Sequence, residues 1–305
     1  MSFLALIFAL VIEQLRPVVG ASLWRRAVHW GADGLARRLD DGSMQAGRLA
    51  WLVVVVPLTV ATALGFWALA GMHPLLAFLF DVAVLVACFA FRRDGRFFDE
   101  IHAALRLGEL ESARALLGDW RGVRYDEAGP GEVATLAIEQ GLVAAHRTVF
   151  GVIFWFVLLP GPSGAVMYRV AALLAARWGR PREGAFGTFA QRAFAALDWA
   201  PARLTALVFS VVGNFEDAVY CWRSQAVLWP DRSSAILLAS GGGALGVKLG
   251  RPVHEAGVLV DRPEMGVGDE AGVDHLQATV GLLWRALLVC MFLLALLAVA
   301  SWAGG

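Results

Sequence analysis

Residues 49–71 carry no charged side chain over 23 consecutive positions, and no other feature limits the fold of this chain as strongly. One helical crossing of a bilayer needs about 20 apolar residues. A soluble fold would have to bury that helix on every face, because it offers none to water. The composition points the same way: 58% of the residues are hydrophobic and 17% charged, against about 25% charged in soluble domains. The expected class is an all-α, polytopic integral membrane protein whose partner is the lipid bilayer.

Further apolar runs set the expected spans. Residues 75–91 contain one charge, Asp81, and follow 49–71 after only Met72-His73-Pro74, which predicts an antiparallel hairpin. Residues 282–303 form another run, with Arg285 near its start. Residues 148–176 are apolar but are broken by Pro160-Gly161-Pro162 and by Arg169. The segment 1–15 lacks a basic leader and a small-residue cleavage site, so it reads as a retained helix. Residues 201–213 are too short to span alone but are apolar enough to be embedded. Four to six membrane-embedded helices are expected, within a single domain over 1–305. Residues 92–147 are expected as a cytoplasmic helical insert with a helix at 132–146, and 241–275 as an irregular Gly/Pro-rich loop.

Arginine sets the orientation. Residues 16–48 hold six arginines and 92–147 hold eight. The hairpin places both segments on one side, which the positive-inside bias makes cytoplasmic. A plain crossing through 148–176 would put Arg177, Arg180, Arg182 and Arg192 outside, so that stretch is expected to dip in and return. Twenty-six basic and twenty-six acidic residues leave no net charge to attract nucleic acid. Cys88, Cys221 and Cys290 are scattered, and no metal site or disulfide framework follows from them.

Several stretches, in order along nearly the whole chain, resemble the CobD/CbiB family. Gly243 to Pro252 (GALGVKLGRP) resembles its GALGIQLGGP-type segment, and Arg262-Pro263, Gly266 and Val273-Asp274 follow at fitting distances. Ala200 to Thr205 (APARLT) resembles its PARL motif, and Ala104 to Arg114 its "AL..GDL..AR" stretch. Glu139 falls where the family has the first acid of ET..EN..DG. The Ala196-Leu197-Asp198-Trp199 core also looks like the AmpE type, a relative linked to β-lactamase regulation. The resemblance implies a multi-pass protein of the bacterial inner membrane. For the family's archetype it implies adenosylcobinamide-phosphate synthase, which uses ATP to join an aminopropanol derivative to a corrinoid carboxylate.

The chain departs from the family where the acids should stand. Residues 144–151 (AAHRTVFG) replace EN..DG, and 171–178 carry no carboxylate where the family has NTLDSM. Phe194-Ala195 replace a pair of aspartates. ATP-driven ligation relies on Mg²⁺ held by hard oxygen ligands. The expected function is therefore a non-catalytic, AmpE-like regulatory or ligand-binding membrane protein, for which no cofactor is firmly implied. The alternative is the synthase itself, which alone would call for ATP and Mg²⁺.

The candidate ligand-binding residues are Asp198, Arg203, Gly243, Gly246, Lys248, Gly250, Arg251 and Arg262. The glycines would let backbone amides approach an anion, and the cations would neutralise it. Lys248 is the only lysine, but Leu249 follows it where a Walker loop has Ser or Thr. The opposing readings are close packing through small residues, contact with anionic lipid headgroups, and a structural Asp198–Arg203 pair flanking a helix start at Pro201. Asp81, Glu139 and His146 are candidate polar groups within the membrane or on one helix face. The expected ligand is a small anionic or corrinoid-related molecule, held between the 241–263 loop and the Asp198–Arg203 corner. Homo-oligomerisation is left open.

Overall fold

The computed structural model describes residues 2–15, 20–179, 185–229 and 231–303. Arg180 and Arg182, which entered the orientation argument, lie outside them. Among the described residues the fold is all-α with two short strand pairs, and five helical stretches are long and apolar enough to cross a membrane: Met44–Met72, Pro74–Arg106, Pro130–Leu158, Phe186–Val212 and Val273–Ser301. The protein is thus a polytopic membrane protein. Its helices sort into two compact units, residues 1–90 with 147–201, and residues 91–146 with 202–305.

The first unit holds α1 (Ser2–Leu15), α2 (Gly20–Leu39), α3 (Met44–Met72), α4 (Pro74–Cys88), α8 (Gly151–Leu158) and α9 (Ser163–Trp178). The expected hairpin is α3–α4: His73 caps α4 by accepting the Leu75 amide at 3.1 Å, and Pro74 occupies the first turn. Helix α1 packs on α4, with Phe8 and Phe78 edge to face. Small residues let backbones touch. A Cβ on Gly47 would meet the Phe186 carbonyl, and one on Gly164 the Trp155 carbonyl. The Pro-Gly-Pro break separates α8 from α9 as expected, and these two helices pack together.

Helix α10 (Phe186–Val212) differs from the expected short segment at 201–213. Pro201 lies inside it and starts no helix, so Arg203 is an interior residue as well. Proline strips the carbonyl four residues earlier of its helical donor. That carbonyl, Leu197, instead accepts the Trp155 indole N–H at 3.2 Å. A neighbouring helix thereby satisfies the group that proline orphaned, as membrane helices allow.

The second unit holds α5 (Phe91–Arg106), α6 (Leu110–Arg121), α7 (Pro130–Ala145), α11 (Phe215–Gln225), α12 (Arg232–Leu245) and α13 (Val273–Ala303). Helix α7 packs on α5, α6, α12 and α13. Its α-helical part ends at Ala145, close to the expected 146, but a π-helical turn over His146–Phe150 carries the chain on into α8. The region expected as part of a cytoplasmic insert is therefore half of a span-length helix. Glu139 and Arg147 made the sequence look interrupted there.

Residues 241–245, expected in the irregular loop, complete α12, which ends at Gly246 in the left-handed conformation (φ 69°). The remaining loop is ordered by short pairings. Strand β1 (Val247–Lys248) runs parallel to β4 (Asp269–Glu270), and β2 (Val253–Glu255) pairs with β3 (Val258–Val260) around an Ala256-Gly257 turn with both φ positive.

Candidate functional site: a charged lobe on helix α7

The lobe formed by residues 246–272 is fastened to the second unit by one buried carboxylate. Glu139, 3% exposed on α7, accepts the Gly250 amide at 2.8 Å and the Arg262 guanidinium at 2.8 and 3.3 Å. Arg121 comes within 4.0 Å of the same carboxylate. Arg262 also donates to the Arg251 carbonyl at 3.2 and 3.1 Å and lies over the Trp229 ring. Other anchors hold the lobe, among them the Ala256 amide on the Arg124 carbonyl at 2.8 Å. Glu132 at the start of α7 accepts from the Gly129 and His254 amides, and the Gln225 side chain bonds both the amide and the carbonyl of Gly266.

Beyond this buried layer lies an open, charge-balanced edge. Lys248 faces Glu264 at 3.6 Å, and Arg251 faces Glu264 at 3.9 Å and Glu270 more closely. Their side chains are 38 to 74% exposed. Tyr125 is buried beside the inner layer. Its burial pushes the phenol above its usual pKa, and the nearby Arg121 offsets part of that rise.

Lys248, Gly250, Arg251 and Arg262 thus come together as the sequence suggested, and Glu139 joins them. Gly243 is placed differently. It lies inside α12, where a Cβ would strike Asp217 and Ala218, so it serves helix packing and its amide belongs to the helix. Gly246 closes that helix, its amide bonded to Gly243. Gly250 is the loop glycine whose amide meets a carboxylate, and that carboxylate belongs to the protein. Glu264 and Glu270 fall inside the loop expected at 241–275 but were given no role in the site, and Glu132 and Gln225 come from distant segments that no spacing connects to it.

The other candidates are carried by other elements. Asp198, in the first unit and fully buried, accepts the Tyr168 hydroxyl at 2.6 Å. Near it in that unit, Arg169 donates to the Arg147 carbonyl at 3.0 Å, and Arg147 lies over Phe194. Arg203, in the second unit, is within electrostatic reach of Arg232. His146 is buried at the π-turn and shares a hydrogen bond with Thr205 at 2.9 Å. Asp81 is buried on α4. Among the described residues no group of three His, Cys, Asp or Glu is placed to hold a metal ion. Burial pushes the Cys221 thiol up to about 11, which keeps it from acting as a nucleophile at neutral pH.

The family model for CobD/Cbib protein matches residues 3–283. Cobalamin biosynthesis protein CobD of Stutzerimonas stutzeri (strain A1501) is 31% identical over 304 residues, covering 96% of each chain. Cobalamin biosynthesis protein CobD of Chromobacterium violaceum is 36% identical over 253 residues, covering 79% of this chain and 78% of that one. Cobalamin biosynthesis protein CbiB of Salmonella typhi is 28% identical over 258 residues. No solved structure matches the chain. A family model spanning nearly the whole sequence, together with relatives of equal length, settles the membership: the chain belongs to the CobD/CbiB family.

Proposed function

We propose that this protein serves cobalamin biosynthesis in the bacterial inner membrane as a non-catalytic binding protein for a small anionic, corrinoid-related ligand. The observation that carries the reading is the state of the two surviving acids. Glu139 is saturated by Arg262 and the Gly250 amide, and Asp198 is bonded to Tyr168. Glu139 is bonded through both oxygens, and Asp198 through Oδ1. A magnesium–nucleotide site needs such oxygens turned toward the metal. The cations Lys248 and Arg251, in contrast, stand at an open edge where a phosphate or carboxylate can reach them.

The second reading is the synthase, favoured by full-length similarity to proteins named for cobalamin biosynthesis. Complementation of a synthase-deficient strain separates the two. Under the binding reading the protein accumulates in the membrane and growth on the corrinoid precursor stays absent. Restored growth at normal expression establishes the synthase and ends the non-catalytic reading.

A further inference from the structure

The outer edge of the lobe differs from its buried layer in one respect that bears on binding. A single carboxylate, Glu264, spans two cations, with one oxygen 3.6 Å from Lys248 Nζ and the other 3.9 Å from Arg251 Nε. Both separations exceed hydrogen-bond length, and Glu264 is 48% exposed. Exposed pairs of this kind contribute little to stability and open readily.

The backbone around them is fixed. Leu249 and Met265 exchange amide–carbonyl bonds at 2.6 and 2.8 Å, which sets Glu264 opposite the 248–250 segment. Lys248 is registered against Glu270 by the β1–β4 pairing. Arg262, itself clamped by Glu139, holds the Arg251 carbonyl. The backbone carrying the two cations is therefore fixed, Arg251 is bonded in addition to Glu270 on the outer side, and Glu264 between the two cations is held only by loose charge contacts.

We propose that Lys248 and Arg251 form the subsite for a phosphate-type anion, and that Glu264 occupies it as an internal surrogate which the ligand displaces. This rests on the binding reading above and adds the ligand's chemical class and a competing residue that sets its affinity. Glu139 and Arg262 are positioning residues in this scheme and do not touch the ligand. A like charge about 4 Å from a bound anion weakens binding about fivefold when the surroundings are watery.

The test uses the full chain in phosphatidylcholine nanodiscs at low ionic strength, where exposed charges are least screened. Inorganic phosphate is titrated calorimetrically. Glu264→Gln is expected to bind about fivefold more tightly than the wild type, and Lys248→Ala to lose binding. Glu127→Gln, which makes the same net-charge change at an exposed residue outside 246–272, is expected to match the wild type. If Glu264→Gln gains nothing over the wild type, or no more than Glu127→Gln, the surrogate role is wrong while the binding reading survives. If neither wild type nor Glu264→Gln binds phosphate, the subsite is wrong, while the binding reading is decided separately by the complementation experiment. Discs containing phosphatidylglycerol identify the source of the anion. A Lys248-dependent loss of phosphate affinity there assigns the subsite to lipid headgroups, and unchanged affinity assigns it to a free solute; both outcomes support the subsite.

Discussion

At the scale of residues, the polar groups in this protein divide into those that close the structure and those left to the surface. The Trp155–Leu197 contact belongs to the first kind. Tryptophans beside apolar runs are usually read as interface anchors, yet this indole repairs the carbonyl that Pro201 leaves without a donor. Trp155→Phe is expected to lower stability in detergent by about 1–3 kcal/mol, the cost of a buried polar group left unpaired. Pro201→Ala returns a helical N–H to the same carbonyl, so the double variant should lose less than Trp155→Phe alone. Equal losses in thermal unfolding would show that the indole does not serve that carbonyl.

The Glu139–Arg262 pair has larger consequences, because its side chains are only 4% and 10% exposed. Removing one partner of a buried pair leaves the other charge stranded and costs about 3–5 kcal/mol. Glu139→Leu and Arg262→Leu are each expected to destabilise by that order, and the double variant by clearly less than the sum. Additive losses in a chemical unfolding series would contradict the clamp.

At the scale of elements, α2 and α9 are joined by a two-pronged ion pair, Arg177 to Asp33 at 2.8 and 2.7 Å. The hydrogen bond from Arg177 holds the Asp33 carboxyl below its usual pKa, against the opposing effect of burial. A carboxyl whose folded pKa is depressed stabilises fully above its unfolded value, about 3.9. That contribution is lost as pH falls through the lower folded value. Wild type and Arg177→Gln should therefore differ in melting temperature at pH 6 and converge as the medium is acidified below pH 4. A gap that persists undiminished in acid would exclude ionisation of Asp33 as its source. The α3–α4 hairpin carries a topological expectation too: reporter fusions at Arg38 and Gly118 should both report cytoplasm, and a periplasmic signal at either would overturn the orientation.

The hairpin was legible from sequence because its evidence is local: an uncharged run, a short connection and a Pro at the next helix start. The continuity of α7 into α8 was not. Glu139 and Arg147 look like interruptions in the sequence, and only the partners folded around Glu139, Arg262 and the Gly250 amide, make its charge tolerable inside a long apolar helix. The nearness of the loop's cations was legible because they are close in sequence. Their partners Glu139 and Gln225 come from distant segments, which no spacing rule connects.

At the scale of the whole molecule, family membership is shown and the chemistry is what remains to be measured. The fold and the order of segments belong to CobD/CbiB over residues 3–283. Under the binding reading proposed above, Glu139 serves the structure through Arg262 and the Gly250 amide, and the exposed cations of the 246–272 lobe are what meets a ligand. The most direct measurement is product formation by membrane vesicles containing this protein, supplied with ATP, Mg²⁺, the corrinoid acid and aminopropanol phosphate. Cobinamide phosphate at the level of empty vesicles is the expected result. Sustained formation of it, dependent on the protein and on ATP, would contradict the non-catalytic reading.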